Sequence, residues 1–124
     1  MVVYESTRSV LSTSLSDGLS DSDIDRMFQA LADATRRDIV RRTLVNEATV
    51  SQLAADYDMS FAAVQKHVSV LEKAGLVNKH PRGRERFVRA NPEAIAHAQQ
   101  LLDQYEQIWR GRVERLDALL ADEN

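Results

Sequence analysis

The sequence contains no cysteine in its 124 residues. That absence excludes a disulfide framework, a thiolate metal site and a cysteine nucleophile, so the fold must be held by packing alone; a reducing cytoplasm suits such a chain. Its apolar runs stop far short of the ~20 residues a helical membrane span requires, and its start lacks the basic-then-apolar order of a signal peptide. A soluble, cytoplasmic protein with no membrane partner is expected. Only three histidines occur, His67, His80 and His97, and neither a carboxylate pair nor a glycine-rich phosphate loop accompanies them. No catalytic residue is assigned and no enzyme is expected.

The 44% hydrophobic content suffices for one modest core, which makes one domain the working assumption. The net charge of -3 argues at first against a polyanionic partner. The average hides an asymmetry. Residues 57–91 carry seven Lys and Arg against three Asp and Glu, a local balance of +4, whereas residues 92–124 carry three against seven, or -4. Local field outweighs net charge for a partner within a Debye length, which makes the middle segment the candidate contact surface.

Residues 1–20 hold six serines and Gly18 without a sustained period and read as a flexible tail. Behind the capping candidates Ser20 to Asp23, the residues Ile24, Met27, Phe28 and Leu31 recur at i, i+3, i+4, i+7 and predict a first helix ending near Asp33. A second helix is predicted to bury Ile39, Val40 and Leu44, to show Arg36, Arg37, Arg41 and Arg42 outward, and to stop by Asn46. Thr49 with Gln52 forms a capping box opening a short third helix that buries Val50 or Leu53 with Ala54. After a turn at Tyr57-Asp58-Met59, Ser60 caps a fourth helix running to about Ala74, and Gly75 stands where a helix end favours a left-handed residue. Two helices joined by a tight turn make a helix-turn-helix. From Leu76 the pattern becomes two strands around Pro81-Arg82-Gly83-Arg84, an arginine-rich hairpin, or wing. Asn91 and Pro92 then open a last helix about 45 Å long with an apolar series through Ile95, Ala98, Leu102, Tyr105, Trp109, Leu116 and Leu119. Gly111 within it marks a kink, an end or a close backbone approach.

The predicted fold is thus mainly α with a small β-hairpin, a winged helix-turn-helix ordered α-α-α-α-β-β-α. Residues 21–91 are expected to form one unit, a DNA-binding domain by the residues of its fourth helix and wing, and residues 92–124 a dimerisation helix. On a helical wheel, Ala63, Val64, His67, Val70, Leu71 and Ala74 of the fourth helix share one face, with Phe61 and Val68 at the boundary. The other face supplies what a major groove reads, and Ser60, Phe61, Ala62, Gln65, Lys66 and Ser69 are the candidates for base contacts. Lys73, Lys79, Arg82, Arg84 and Arg86 are the candidates for phosphate contacts. Taken singly, the polar face could be solvated, the arginines could serve solubility and Phe61 could be core; their conjunction in this order favours double-stranded DNA. His67 is expected to be structural. A winged helix that binds protein instead would not need Arg82, Arg84, Arg86 and Arg89 so close together. The last helix bears more apolar surface than one small domain covers. A twofold dimer would bury it, with Ile24, Met27, Phe28, Leu31, Ile95, Leu102, Tyr105, Trp109 and Leu116 as the candidate interface.

Three stretches carry a resemblance. FQALADATRRDIV resembles the first-to-second helix signature of the ArsR-type family of bacterial winged-helix regulators, with Ala34 where a proline is common. MSFAAVQKHVSVLEKAGLV is similar to its recognition helix, and RGRERFVRANPEAI to its wing and exit. The resemblance implies a homodimer built from the first and last helices, a recognition helix in each major groove, and repression of transcription lifted by a signal. Founding members bind metal through cysteines, or through Asp and His of the last helix. Here there is no cysteine, and His97 and Asp103 lack a second His that would complete a site. The metal-free branch of the family is the better match. No cofactor is expected, and the effector is left open.

Overall fold

The computed structural model describes residues 20–122. Each helix begins where a side chain satisfies its free N–H groups. Ser20 Oγ accepts from the Asp23 N–H while Asp23 Oδ2 accepts from the Ser20 N–H, both at 3.2 Å, a capping box that opens α1 (Asp21–Leu31). Asp33 caps α2 (Ala34–Val45) by accepting from the Arg36 N–H at 3.0 Å. Thr49 and Gln52 form the expected second capping box at the start of α3 (Val50–Ala55), and Ser60 accepts from the Ala63 N–H to open α4 (Phe61–Lys73). At the end of α4 the Leu76 N–H donates to Leu71 O and the Gly75 N–H to Glu72 O, both at 3.0 Å. Gly75 takes φ +77, the left-handed conformation that this closure demands.

The wing consists of β2 (Val77–Arg82) and β3 (Glu85–Ala90), antiparallel, with Arg82 opposite Glu85. Gly83 and Arg84 alone form the loop, and Gly83 has φ +60, as the first position of a tight hairpin turn requires. The sequence pattern did not reveal a third strand. The short β1 (Ala48–Thr49) pairs with β3, Ala48 opposite Val88 and Thr49 opposite Phe87, giving the order β1-β3-β2. The last helix, α5 (Pro92–Asp122), spans 31 residues, roughly 46 Å. Its start is anchored by Asn91, whose Oδ1 accepts from the Glu93 N–H while its Nδ2 donates to Gly75 O and its N–H to Leu76 O. Gly111 lies inside this helix, and a Cβ built there meets nothing within 4 Å. Neither a helix end nor a close approach within the chain explains it.

The core draws on every element. Met27, Ile39, Leu53, Val64, Val68, Leu71, Leu76, Val77 and Val88 are all fully buried. Two inward expectations for the helices change. On α2, Thr43 rather than Leu44 faces in, because Ile39, Val40 and Thr43 share one face; the Thr43 hydroxyl donates to Ile39 O at 2.7 Å, so its burial leaves no polar atom unpaired. Leu44 is 48% exposed. On α4, Val68 is buried and Val70 points outward, so the helix is turned by about one-sixth of a revolution from the wheel reading. Val68 belongs to the core cluster shared by the helices and the wing strands, an environment that periodicity alone could not place. Among the described residues no helix is long and apolar enough to cross a membrane.

Candidate nucleic-acid interface

The outward face of α4 presents Ser60, Phe61, Ala62, Gln65 and Lys66, all exposed, with Ser69 half-buried one turn on. Phe61 is 49% exposed at the helix start, which removes it from the core. The wing stands beside this face. Between them lies a groove of about 390 Å³ walled by Gln65, by Thr49, Val50 and Ser51 at the start of α3, and by Lys79, Arg84, Glu85 and Arg86 of the wing. Thr49 and Ser51 escaped the sequence reading because neither a cap residue nor a serine in a helix's first turn carries a signal of facing a partner.

Electrostatics divides the cations of α4 and the wing. Arg82 is paired with Glu47 and lies 4.9 Å from the centre of the Phe87 ring, while Arg89 donates to the other oxygen of Glu47 at 2.8 Å. Hydrogen bonding from Arg89, with the charges of both arginines, holds the Glu47 carboxyl below the usual carboxylate range. Lys79 is 3.8 Å from Glu72. Arg84, Arg86, Lys66 and Lys73 have no ion-pair partner among the described residues. They are the cations free to meet a polyanion.

A polar network ties the turn that leads into α4 to α2. The Tyr57 hydroxyl, in the turn between α3 and α4, donates to Asp38 of α2 at 2.5 Å, and the Arg42 guanidinium lies 5.3 Å from the Tyr57 ring centre. Arg42 also donates to Asp56 at 2.6 Å, so it clamps the turn instead of pointing freely outward. The Tyr57 and Arg41 hydrogen bonds lower the Asp38 pKa, and burial together with Asp38 raises that of Tyr57. Arg36, also expected outside, donates to Ala30 O at 2.6 Å and Gln29 O at 3.1 Å, satisfying carbonyls at the end of α1. Its Nη1 is 3.4 Å from Nδ1 of His67, which lies half-buried on α4 and 3.9 Å from Asp33, a structural setting. Among the described residues no three His, Cys, Asp or Glu side chains form a group that could hold a metal ion.

The residues expected at a dimer seam fall into two sets. Leu102, Tyr105, Trp109 and Leu116 of α5 are about half exposed, as is Ile108 between them, and Phe28 of α1 is 38% exposed. Ile24, Leu31 and Ile95 are half-buried, the last two against the core. Met27, at 1% exposure, belongs to the protomer's own core and is not available to a partner, since α1 turns it inward beside Ala30.

Comparison with known proteins agrees with this geometry. Residues 33–79 match the family model described as "Bacterial regulatory protein, arsR family". The chain is 41% identical over 81 residues to the HTH-type transcriptional regulator Rv2034 of Mycobacterium tuberculosis, covering 65% of this chain and 76% of that one. The crystal structure of an ArsR family transcriptional regulator superposes with a TM-score of 0.69 at 33% identity, over 74% of this chain and 95% of the other. The homodimeric winged helix-turn-helix DNA-binding domain of Mb0332 from Mycobacterium bovis shares the fold, with a TM-score of 0.58 at 20% identity over 73% and 90% of the two chains. This chain belongs to the ArsR family of transcriptional regulators and carries their winged helix-turn-helix DNA-binding domain.

Proposed function

We propose that the protein is a homodimeric repressor that places α4 in the major groove of an operator and is released by a signal other than a metal ion. One observation carries the reading of the interface: an outward face with Gln65 and Lys66 stands beside a wing whose Arg84 and Arg86 have no partner among the described residues. Ser60, Phe61, Ala62, Gln65, Lys66 and Ser69 would meet base edges. Arg84, Arg86 and Lys73 would meet phosphates, with Lys79 and Arg82 contributing once they exchange a carboxylate for a phosphate.

The division into a DNA-binding unit, residues 21–91, and a dimerisation helix, residues 92–124, is supported by the exposed stripe on α5. Leu102, Tyr105, Ile108, Trp109 and Leu116 repeat on that helix beyond Ala98, the last of its residues packed against the protomer's core. A stripe of this size marks a partner surface, and a twofold copy would set two recognition helices about 34 Å apart. Repression follows the family resemblance, and the absence of cysteine from the sequence supports a non-metal signal. We place the dimer in the cytoplasm, with the DNA it would bind.

The test is a titration of the purified protein against its own upstream DNA and a scrambled duplex at two salt concentrations, with zinc and with a chelator. Specific, salt-sensitive binding that ignores both additives is expected. Binding to neither duplex would overturn the reading, and release by zinc would overturn its metal-free part.

A further inference from the structure

A second basic concavity lies at the far end of α4 from the wing groove. It encloses about 620 Å³, within the range of pockets that hold small molecules. Its charged wall is made by Arg26 of α1, Arg36 of α2 and Lys73 of α4, and its apolar wall by Ala30, Val70 and Ala74. Val70 is the residue that periodicity sends inward and the structure leaves 36% exposed. Here it forms part of an apolar lining for a cavity with cations at its rim.

The three cations differ in what they can do. Arg36 is committed to Ala30 O and Gln29 O and lends only its field. Arg26 and Lys73 have no ion-pair partner among the described residues. Asp23 lines an adjoining hollow with both of them; its hydrogen bonds go to Ser20 at the start of α1, and it feels the charge of Arg26 without forming an ion pair with it. Two unpaired cations above an apolar lining are the complement of an anionic headgroup on a short apolar body. On α1 the residues that line the cavity face away from the proposed seam. With Ile24 at 0° on the α1 wheel, Phe28 falls at about 40°, whereas Gln29 and Arg26 fall at about 140° and 200°, on the opposite side from the seam.

We propose that this cavity binds a small amphipathic organic anion, a carboxylate with a short apolar tail, and that its occupancy weakens DNA binding. The coupling rests on the proposed role of Lys73, the one side chain shared by the two sites. An anion seated between Arg26 and Lys73 neutralises a cation that would otherwise meet a DNA phosphate. Val70, carried by the same helix as Gln65, and Ala74, which caps its end, let the ligand's body press on the element that reads the bases.

Octanoate, below its micellar concentration, is the probe, with 1-octanol as the uncharged body and inorganic phosphate as the bodiless charge. Calorimetric titration of the full chain without DNA is expected to give one saturable octanoate site per protomer and no saturable binding of either control. Arg26→Gln, at an exposed position and checked for folding by circular dichroism, is expected to weaken octanoate about tenfold or more, through loss of a charge-assisted contact. No octanoate binding at millimolar concentration, equal binding of 1-octanol, or an unchanged affinity in the variant would overturn the site. The second measurement is DNA affinity with and without octanoate. The ligand should weaken wild-type binding and lower its salt slope by about one phosphate contact, and Arg26→Gln should bind DNA as the wild type does but resist the ligand. If Arg26→Gln instead loses DNA affinity and salt slope with no ligand present, these cations hold phosphate backbone and the ligand site is wrong. Ligand binding is read without DNA, so failure of the DNA-binding proposal would leave the test of the site intact.

Discussion

Replacing Tyr57 by Phe tests whether the turn between α3 and α4 is held from behind. The substitution removes one hydroxyl and leaves the ring, together with the Arg42 guanidinium 5.3 Å from its centre. What is lost is the 2.5 Å hydrogen bond to Asp38. A bond to a charged acceptor contributes about 1.5–3 kcal/mol, but the Asp38 side chain is 34% exposed and keeps its Arg41 partner, which brings the expected loss to about 1 kcal/mol. For a chain of this size that is a fall of about 4 °C in the unfolding midpoint, read at fixed protein concentration. The loss should depend on pH. The Tyr57 hydrogen bond is the largest cause of the lowered Asp38 pKa. A carboxyl depressed in the folded state contributes stability that is fully present above its unfolded pKa, near 3.9, and is lost as pH falls through the lower folded value. The difference between wild type and Tyr57→Phe should therefore be full at pH 7 and shrink below about pH 4. An equal difference at pH 7 and pH 3 would refute the account, as would a double-mutant cycle with Asp38→Asn that shows no coupling.

Replacing both Arg84 and Arg86 by Ala should weaken binding to every duplex alike and reduce the salt slope by about 1.8, two contacts at roughly 0.9 each; an unchanged slope in a filter-binding titration would remove the wing from the interface. Gln65→Ala should relax preference at one or two base pairs by about 1–3 kcal/mol each, read by competition among single-substituted operators, and an equal loss on random DNA would exclude base readout. Trp109→Ala should raise the dimer dissociation constant at least 30-fold, about 2 kcal/mol, in sedimentation equilibrium while the protomer keeps its helical signal. No change in association would move the seam away from α5.

The features that the sequence reading found are local ones. In setting helix boundaries, Ser20, Thr49, Ser60, Asn91 and Gly75 each act within a few residues of themselves, so the chain announces every boundary they set. What escaped it depends on residues distant in the chain. β1 is two residues long and has no period of its own; it exists because β3 offers a free edge. The rotation that buries Val68 and exposes Val70 is set by the elements packed around α4, which its own periodicity does not reveal. Counting charges likewise weighed Arg82, Arg84, Arg86 and Arg89 alike, whereas Glu47 engages the first and last of them from the connection between α2 and β1. Met27 continued the stripe of Phe28 by spacing, yet the protomer's own core takes it.

Thr49 joins three structures at one residue: it pairs with Phe87 of the wing, caps α3, and lines the groove beside Gln65. A change in chain length between α2 and α3 would therefore slide the strand register and the helix start together. Evolution and engineering alike have little freedom there. The hairpin tip at Gly83 and Arg84 has no such coupling, because a longer loop would leave the pairing of Arg82 with Glu85 in place. New specificity among descendants of this chain should accordingly be acquired by extending the wing, with the linker at residues 46–49 held to constant length.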